Sequence, residues 1–280
     1  MKFNLNGNLL EYADSIFKID NRAFLHGDFI TEFVRAADGK ILLWEEHYFN
    51  LMASLRIFRM KIPMDFTPEF LENEILRTIS ENEIQNAKIE IIIFRNSNSE
   101  DLLTQSGISY LIKVNTIFED SNYIWKNLPS EIEIFKDYSV NPTFFTQIRS
   151  HKPEEIVALA YMQENEYNDL VLLNPDKKIA RTVLGNPFLI QGNQIKTPKI
   201  SEGGIRSVLR NHLCKLLDKS EEFEFEETDI FPFELQKTNE LFICMEGEGI
   251  LSIHQNRKKE YTTEMTGKVL ELMNSVVVTN

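Results

Sequence analysis

The stretch Asp169-Leu170-Val171-Leu172-Leu173-Asn174-Pro175-Asp176-Lys177-Lys178-Ile179-Ala180-Arg181-Thr182-Val183 decides how the second half of the chain is read. Leu170 to Leu173 is an apolar run of strand length, and Asn174-Pro175-Asp176-Lys177 carries the residues that turn a chain. Ile179 to Val183 is a second strand. Phe188 to Ile190 continues the pattern, and Gly192-Asn193 turns it into Gln194-Ile195. Short turns between extended runs predict a meander rather than a βαβ unit.

Working upstream, Pro153, Glu154 and Glu155 suit the start of a helix running to Asn165, since proline tolerates the first helical position and acids complement the positive end of the helix dipole. Asn115 to Pro142 is irregular, with Asp, Ser, Asn and Pro scattered through it. The domain boundary is placed there, giving a smaller N-terminal α+β domain over 1–118, a connection over 119–142 and a larger domain over 143–280. In the first domain, Phe49, Met52, Leu55 and Phe58, thickened by Leu51, predict a helix face over Trp44 to Phe58. Thr67, Pro68 and Glu69 start a second helix carrying Leu71, Ile75 and Ile79. Lys88 to Phe94 and Ser109 to Val114 read as strands.

Downstream, Ile205, Val208, Leu209, His212, Leu213 and Leu216 keep helical spacing, so Gly203-Gly204 precedes a helix N-terminus, an end able to hold an anion. Phe223 and Phe225 alternate with Glu222, Glu224 and Glu226, as on a half-exposed strand. Glu240 to Met245 and Ile250 to His254 form a strand pair around Glu246-Gly247-Glu248-Gly249, and Thr263 to Met273 a closing helix.

The chain has 280 residues, 42% of them hydrophobic and 26% charged, with a formal net charge of −13. That charge opposes binding to nucleic acid or anionic membrane, both of which draw affinity from Lys and Arg. No run reaches the apolar length of a bilayer span, and MKFNLNGNLLEYADSIF lacks the basic-then-apolar order of a secretory signal, so a cytoplasmic protein is expected. Cys214 and Cys244 share no metal or redox spacing, and the five histidines, His47 and His212 being read as packing residues, show no ligand spacing. No Gly-x-Ser-x-Gly, P-loop or Gly-x-Gly-x-x-Gly signature occurs, which leaves metal, hydrolase and nucleotide readings without support.

Asn21-Arg22-Ala23-Phe24-Leu25-His26-Gly27-Asp28, continuing through Glu32 and Arg35 to Glu45, Glu46 and His47, resembles the opening R-x-F-x-Y-G-D-G-x-F-E-x-x-R, then E-x-H-x-x-R-L, of the class IV aminotransferases. Asp169 to Asn174, Ile179, Asn186, Phe188 and Thr197-Pro198 resemble the D-x-x-L-L-N, G-x-I-x-E, N-x-F and T-P of that family's second domain, and Arg210 falls on the arginine that ends its phosphate-binding turn. The resemblance covers roughly residues 20 to 254. It implies an α/β (α+β) fold of the fold-type IV pyridoxal-phosphate enzymes, related to branched-chain and D-amino-acid aminotransferases and aminodeoxychorismate lyase. A homodimer with the cofactor between the domains is implied as well.

The family's chemistry requires a Schiff-base lysine, an acid at the pyridine nitrogen and donors for the phosphate. At the lysine position stands Ile148-Arg149-Ser150, and a guanidinium offers no free amine. Lys152, three residues on, is the rival candidate for a catalytic lysine. At the acid position stands Arg181, and at the phosphate arginine Asn50. Asn186, Ser207, Val208 and Met245 occupy further cofactor-binding positions. Ser207 before Val208-Leu209-Arg210 still offers a hydroxyl and backbone N–H groups, so that half of the phosphate cup is able to survive. The family's second hydroxyl pair falls on Cys244, Met245 and Glu246.

The resulting expectation is a non-catalytic or anion-binding homologue, with a working pyridoxal-phosphate transaminase or lyase using Lys152 as the alternative. Arg149 and Arg181, carried to the family positions, would face the old cofactor cavity and favour a small anionic metabolite. The opposing expectation is a cavity filled by side chains, with the arginines paired to the chain's own carboxylates.

Overall fold

The computed structural model describes residues 1–12, 21–96 and 107–275, so Ala13 to Phe17 of the opening segment lie outside the described residues. The chain divides into two compact units, Met1–Asn122 with Arg149–His151, and Tyr123–Ile148 with Lys152–Asn280.

The first unit contains β1 (Lys2–Leu5), β2 (Asn8–Glu11), α1 (Arg22–His26), β3 (Phe29–Ala37), β4 (Lys40–Ile41), α2 (Trp44–Ile57), α3 (Pro68–Glu81), β5 (Ala87–Arg95) and β6 (Ile108–Ile117). Its strands form one antiparallel sheet in the order β2-β1-β6-β5-β3-β4. Ile89, Ile91 and Ile93 alternate along β5 and are fully buried, as period-two patterning requires. α3 starts as its residues dictate: the Thr67 hydroxyl accepts the Phe70 N–H at 3.2 Å and Pro68 fills the first turn.

The face of α2 differs from the sequence expectation. His47, Leu51, Met52, Ser54 and Leu55 are buried, whereas Phe49 is 58% exposed and lies edge-on to Tyr48. Spacing of three from Phe49 described a stripe that drifts around the helix. The buried stripe runs instead from His47 through Leu51 to Leu55 at spacing four.

The second unit contains β7 (Ile124–Lys126), β8 (Ile132–Ile134), α4 (Pro153–Glu164), β9 (Asp169–Leu173), β10 (Ile179–Thr182), β11 (Asn186–Gln191), β12 (Gln194–Pro198), α5 (Val208–Lys219), β13 (Glu224–Thr228), β14 (Glu240–Met245), β15 (Gly249–Ile253) and α6 (Glu264–Asn274). β7 and β8 lie inside the stretch read as irregular. Each is three residues long and gains its pairing from distant strands, β15 and β9, so no local periodicity announces it.

Strands β10-β9-β8 make one sheet and β13-β12-β11-β14-β15-β7 another. The meander is therefore cut after β10, and β11 opens the second sheet. β9 is buried on both faces: Val171 joins the core around Leu189, Leu241 and Ile243, while Leu170 and Leu172 join Phe135, Val140 and Ala158 of α4. Two apolar faces are why its sequence is a continuous apolar run and not an alternation. Gly203 takes the left-handed region at φ 113° after a short 3-10 turn over Ile200–Glu202, and α5 begins at Val208, later than the apolar spacing from Ile205 suggested. The Ser207 hydroxyl sets that start by accepting the Arg210 N–H at 3.1 Å. No helix among the described residues is long and apolar enough to cross a membrane.

Asp169, fully buried at the head of β9, accepts the N–H groups of Leu170, Val183 and Leu184 at 2.7, 3.1 and 3.2 Å and so clasps the end of β10 to β9. Burial pushes its carboxyl up to about 6, against the opposing pull of these hydrogen bonds. A carboxyl raised in the folded state contributes fully below its unfolded value and loses that contribution as pH rises through about 6. The loss amounts to about 3 kcal/mol. Urea unfolding of the wild-type chain between pH 4 and pH 7.5 should show this decline, and Asp169→Asn should flatten it; equal slopes in the two proteins would reject the assignment.

Candidate functional site

In the first unit, β3 supplies Glu32 and the first two turns of α2 supply His47 and Asn50, three residues apart and so on one helix face. The Glu32 carboxylate is shared between them: one oxygen lies 2.6 Å from His47 Nδ1 and the other accepts the Asn50 amide at 3.0 Å. His47 is therefore a hydrogen-bonding partner as well as a packing residue. Asn50 directs its donor inward to Glu32 instead of offering a charge to an external anion.

Arg149 belongs to the same unit. Its carbonyl accepts the Thr31 N–H at 2.8 Å, Ser150 bridges to Ile30, and its guanidinium lies over the Phe33 ring at 5.2 Å. A Cβ on Gly27, at φ +60°, would meet the His151 ring at 2.7 Å. The Gly-Asp turn of the opening motif thus makes room for the segment that carries Arg149.

In the second unit, Lys152 immediately precedes α4 and Glu155 lies in its first turn. The Lys152 ammonium is buried, donates to the Ile148 carbonyl and lies 4.0 Å from Glu155 Oε1. The same oxygen lies 2.7 Å from Nη2 of Arg181, which projects from β10 and is 1% exposed. Nη1 of Arg181 donates to the Thr182 carbonyl at 3.3 Å. Neither Nη2 nor Glu155 Oε1 attains hydrogen-bond geometry despite the short separation, so their contact is charge neutralisation without a directional bond. Tyr138 completes the cluster. Burial pushes its hydroxyl up to about 12, with the Arg181 charge pulling the other way.

The N-terminus of α5 forms the remaining group. Here Leu209 N–H donates to Glu246 Oε1 at 3.1 Å and Arg210 N–H to Ser207 Oγ at 3.1 Å. The Arg210 guanidinium, 2% exposed, is directed to the Pro198 carbonyl at 2.9 Å and Glu227 at 2.7 Å. Arg206 N–H donates to the Gln147 carbonyl, which ties the loop before α5 to the segment ending at Ile148. Asn186 opens β11 opposite Cys244, and Gly185 beside it is required: a Cβ there would lie 2.2 Å from the Cys244 carbonyl. Burial raises the Cys244 thiol well above its ordinary range, and the Glu246 carboxylate raises it further.

Of the sequence candidates, Lys152 and Arg181 come together through Glu155, while Ser207 and Val208 stand at the start of α5, where Leu209 N–H meets Glu246. The Met245 side chain belongs to the apolar core with Val171, Leu189 and Ile243, because the odd positions of β14 face that core. At the half of the phosphate cup expected around Ser207, Leu209 N–H meets Glu246 and Arg210 N–H meets Ser207. Glu155 and Tyr138 were not among the candidates. Glu155 carried a usable signal, an acid three residues beyond Lys152 in the first turn of a helix; Tyr138 carried none.

The profile of the family described as amino-transferase class IV matches residues 30–255. A putative branched-chain-amino-acid aminotransferase of Methanocaldococcus jannaschii is 22% identical over 96% of this chain and 92% of its own length. The aminodeoxychorismate lyase of Vibrio harveyi is 19% identical over 81% of this chain and 82% of its own. The crystal structure of a branched-chain aminotransferase from Thermoproteus uzoniensis with norvaline superposes with a TM-score of 0.87 at 17% identity, covering 100% of this chain and 95% of that one. The fold is that of the fold-type IV aminotransferases, and the chain belongs to the class IV aminotransferase family.

Proposed function

We propose that this chain is a class IV aminotransferase homologue that has left pyridoxal-phosphate chemistry and works as a structural or binding protein. One observation carries the reading: Arg181, at the position where the resemblance expects an acid for the pyridine nitrogen, is a buried cation paired inside the chain with Glu155 at 2.7 Å. A guanidinium beside a pyridine nitrogen opposes its protonation and removes the electron sink on which the family's chemistry depends.

The other positions point the same way. Arg149 has no free amine, Asn50 is bonded to Glu32, and Glu246 stands at the N-terminus of α5. These residues do not fit the phosphorylated cofactor. Lys152, the alternative candidate, donates to the Ile148 carbonyl and lies 4.0 Å from the Glu155 carboxylate, so its amine is engaged within the chain. An anionic metabolite held by Arg149 and Arg181 is not part of the proposal, because Arg181 has an internal counter-ion and Arg149 lies on an aromatic ring.

The proposal includes self-association. α4 is apolar around most of its circumference, packing Ala158 inward while Ile156, Val157 and Leu159 stand 56%, 52% and 42% exposed. A helix apolar on its outer face as well calls for a second covering surface, here a second copy of the chain.

Three outcomes are expected. Borohydride treatment of the wild-type protein with pyridoxal phosphate leaves its intact mass unchanged; a stoichiometric pyridoxyl adduct that disappears in Lys152→Ala would overturn the reading. Glu155→Gln costs about 3 kcal/mol by removing the anion that neutralises buried Arg181, and adding Arg181→Met recovers part of that loss. Additive costs in urea unfolding would show that the pair is not coupled. In sedimentation velocity the wild-type chain runs as a dimer and Val157→Asp as a monomer, and a monomeric wild type would refute self-association.

A further inference from the structure

The N-terminus of α5 has its anion built in. α5 is a twelve-residue helix, long enough for its first N–H groups to carry a substantial positive potential. Of the first three donors, Leu209 N–H is bonded to Glu246 Oε1 and Arg210 N–H to Ser207 Oγ. The one cation of the first turn, Arg210, is engaged with the Pro198 carbonyl and Glu227. Glu246 is 5% exposed, and its charge is felt at Cys244 on the adjoining strand.

The carboxylate is held there by a fixed turn. Glu248 N–H returns to the Met245 carbonyl at 3.1 Å and the Glu248 carboxylate pairs with Lys126 at 2.6 Å. Gly249, at φ +143°, packs so closely on β7 that a Cβ would lie 2.3 Å from the Ile124 carbonyl. Glu246 therefore has little freedom to withdraw from α5 while the sheet is intact.

We propose that Glu246 is an internal counter-anion that closes the α5 N-terminus to phosphate monoesters, so that the fold keeps the anion-binding helix end but satisfies it from within the chain. The proposal rests on the reading that the chain does not use the phosphorylated cofactor. A phosphate dianion approaching the same N–H groups would meet a carboxylate at contact distance in a buried setting, where like charges repel most strongly. The internal carboxylate also has the advantage of needing no association from solution.

The test is thermal unfolding of the wild type, Glu246→Ser and Glu246→Gln in inorganic phosphate against chloride at equal ionic strength. Serine removes both the charge and the bulk, whereas glutamine keeps an acceptor for Leu209 N–H and removes the charge alone. In about 10 mM phosphate, Glu246→Ser should gain about 3 °C in Tm over the chloride control, with a smaller gain in Glu246→Gln and none in the wild type. Folded variants as indifferent to phosphate as the wild type, or a wild type that phosphate stabilises equally, would overturn the proposal. Should Glu246→Ser not fold, the Glu246→Gln comparison decides it. Failure of the underlying reading registers separately, as a pyridoxyl adduct on the wild-type chain.

Discussion

A buried charge must be neutralised or hydrogen-bonded where it lies, and this constraint organises the second unit. Arg181 and Arg210 are among its largest fully buried side chains. Each has found a carboxylate of the same unit, Glu155 and Glu227, at 2.7 Å. Both guanidinium groups are buried, so losing Glu155 would be costly, whereas Glu227, whose side chain is 41% exposed, is screened by water and its loss would cost less. Glu155 of α4 and Glu227 of β13 are therefore engaged with buried cations of the unit.

The same constraint acts on helix ends. The first N–H groups of an α-helix lack intrahelical partners, and burial turns that lack into a penalty. α5 meets it with Ser207 and Glu246, and α6 with Glu240, whose carboxylate accepts the N–H groups of Met265 and Thr266 at 2.9 and 2.8 Å. In one case the carboxylate joins a closing helix to β14. In the other it occupies the end of the helix that the family resemblance marks for a phosphate. The chemistry of capping is common to both, and only position gives the second its functional meaning.

The contrast between the units follows from how charge is handled in each. In the first, Glu32 serves both His47 and Asn50, a compact polar group buried between β3 and α2. In the second, Glu155 lies within 4.0 Å of both Lys152 and Arg181, and Arg181 Nε has no hydrogen-bond partner among the described residues. Buried groups satisfied only in part mark where a fold has given up packing economy. Here that place is Arg181, at the position where the family resemblance expects an acid.

Residue order by itself determined the family, the α/β character and most of the elements, because these depend on local rules. Thr67 caps α3, Pro153 starts α4, and the Asn174 to Lys177 turn separates β9 from β10, each acting within a few residues of itself. Arg149, Arg181 and Asn50 stood out in the same way, as residue types other than those the family resemblance expects. Tertiary structure alone decided what those residues do. The strands β7 and β8, the burial of His47 in place of Phe49, the approach of Glu155 to Arg181 and the seating of Glu246 on α5 all join segments far apart in the chain, 37 positions in the last case. Such contacts arise from the shape of the folded core, and no spacing along the sequence encodes them.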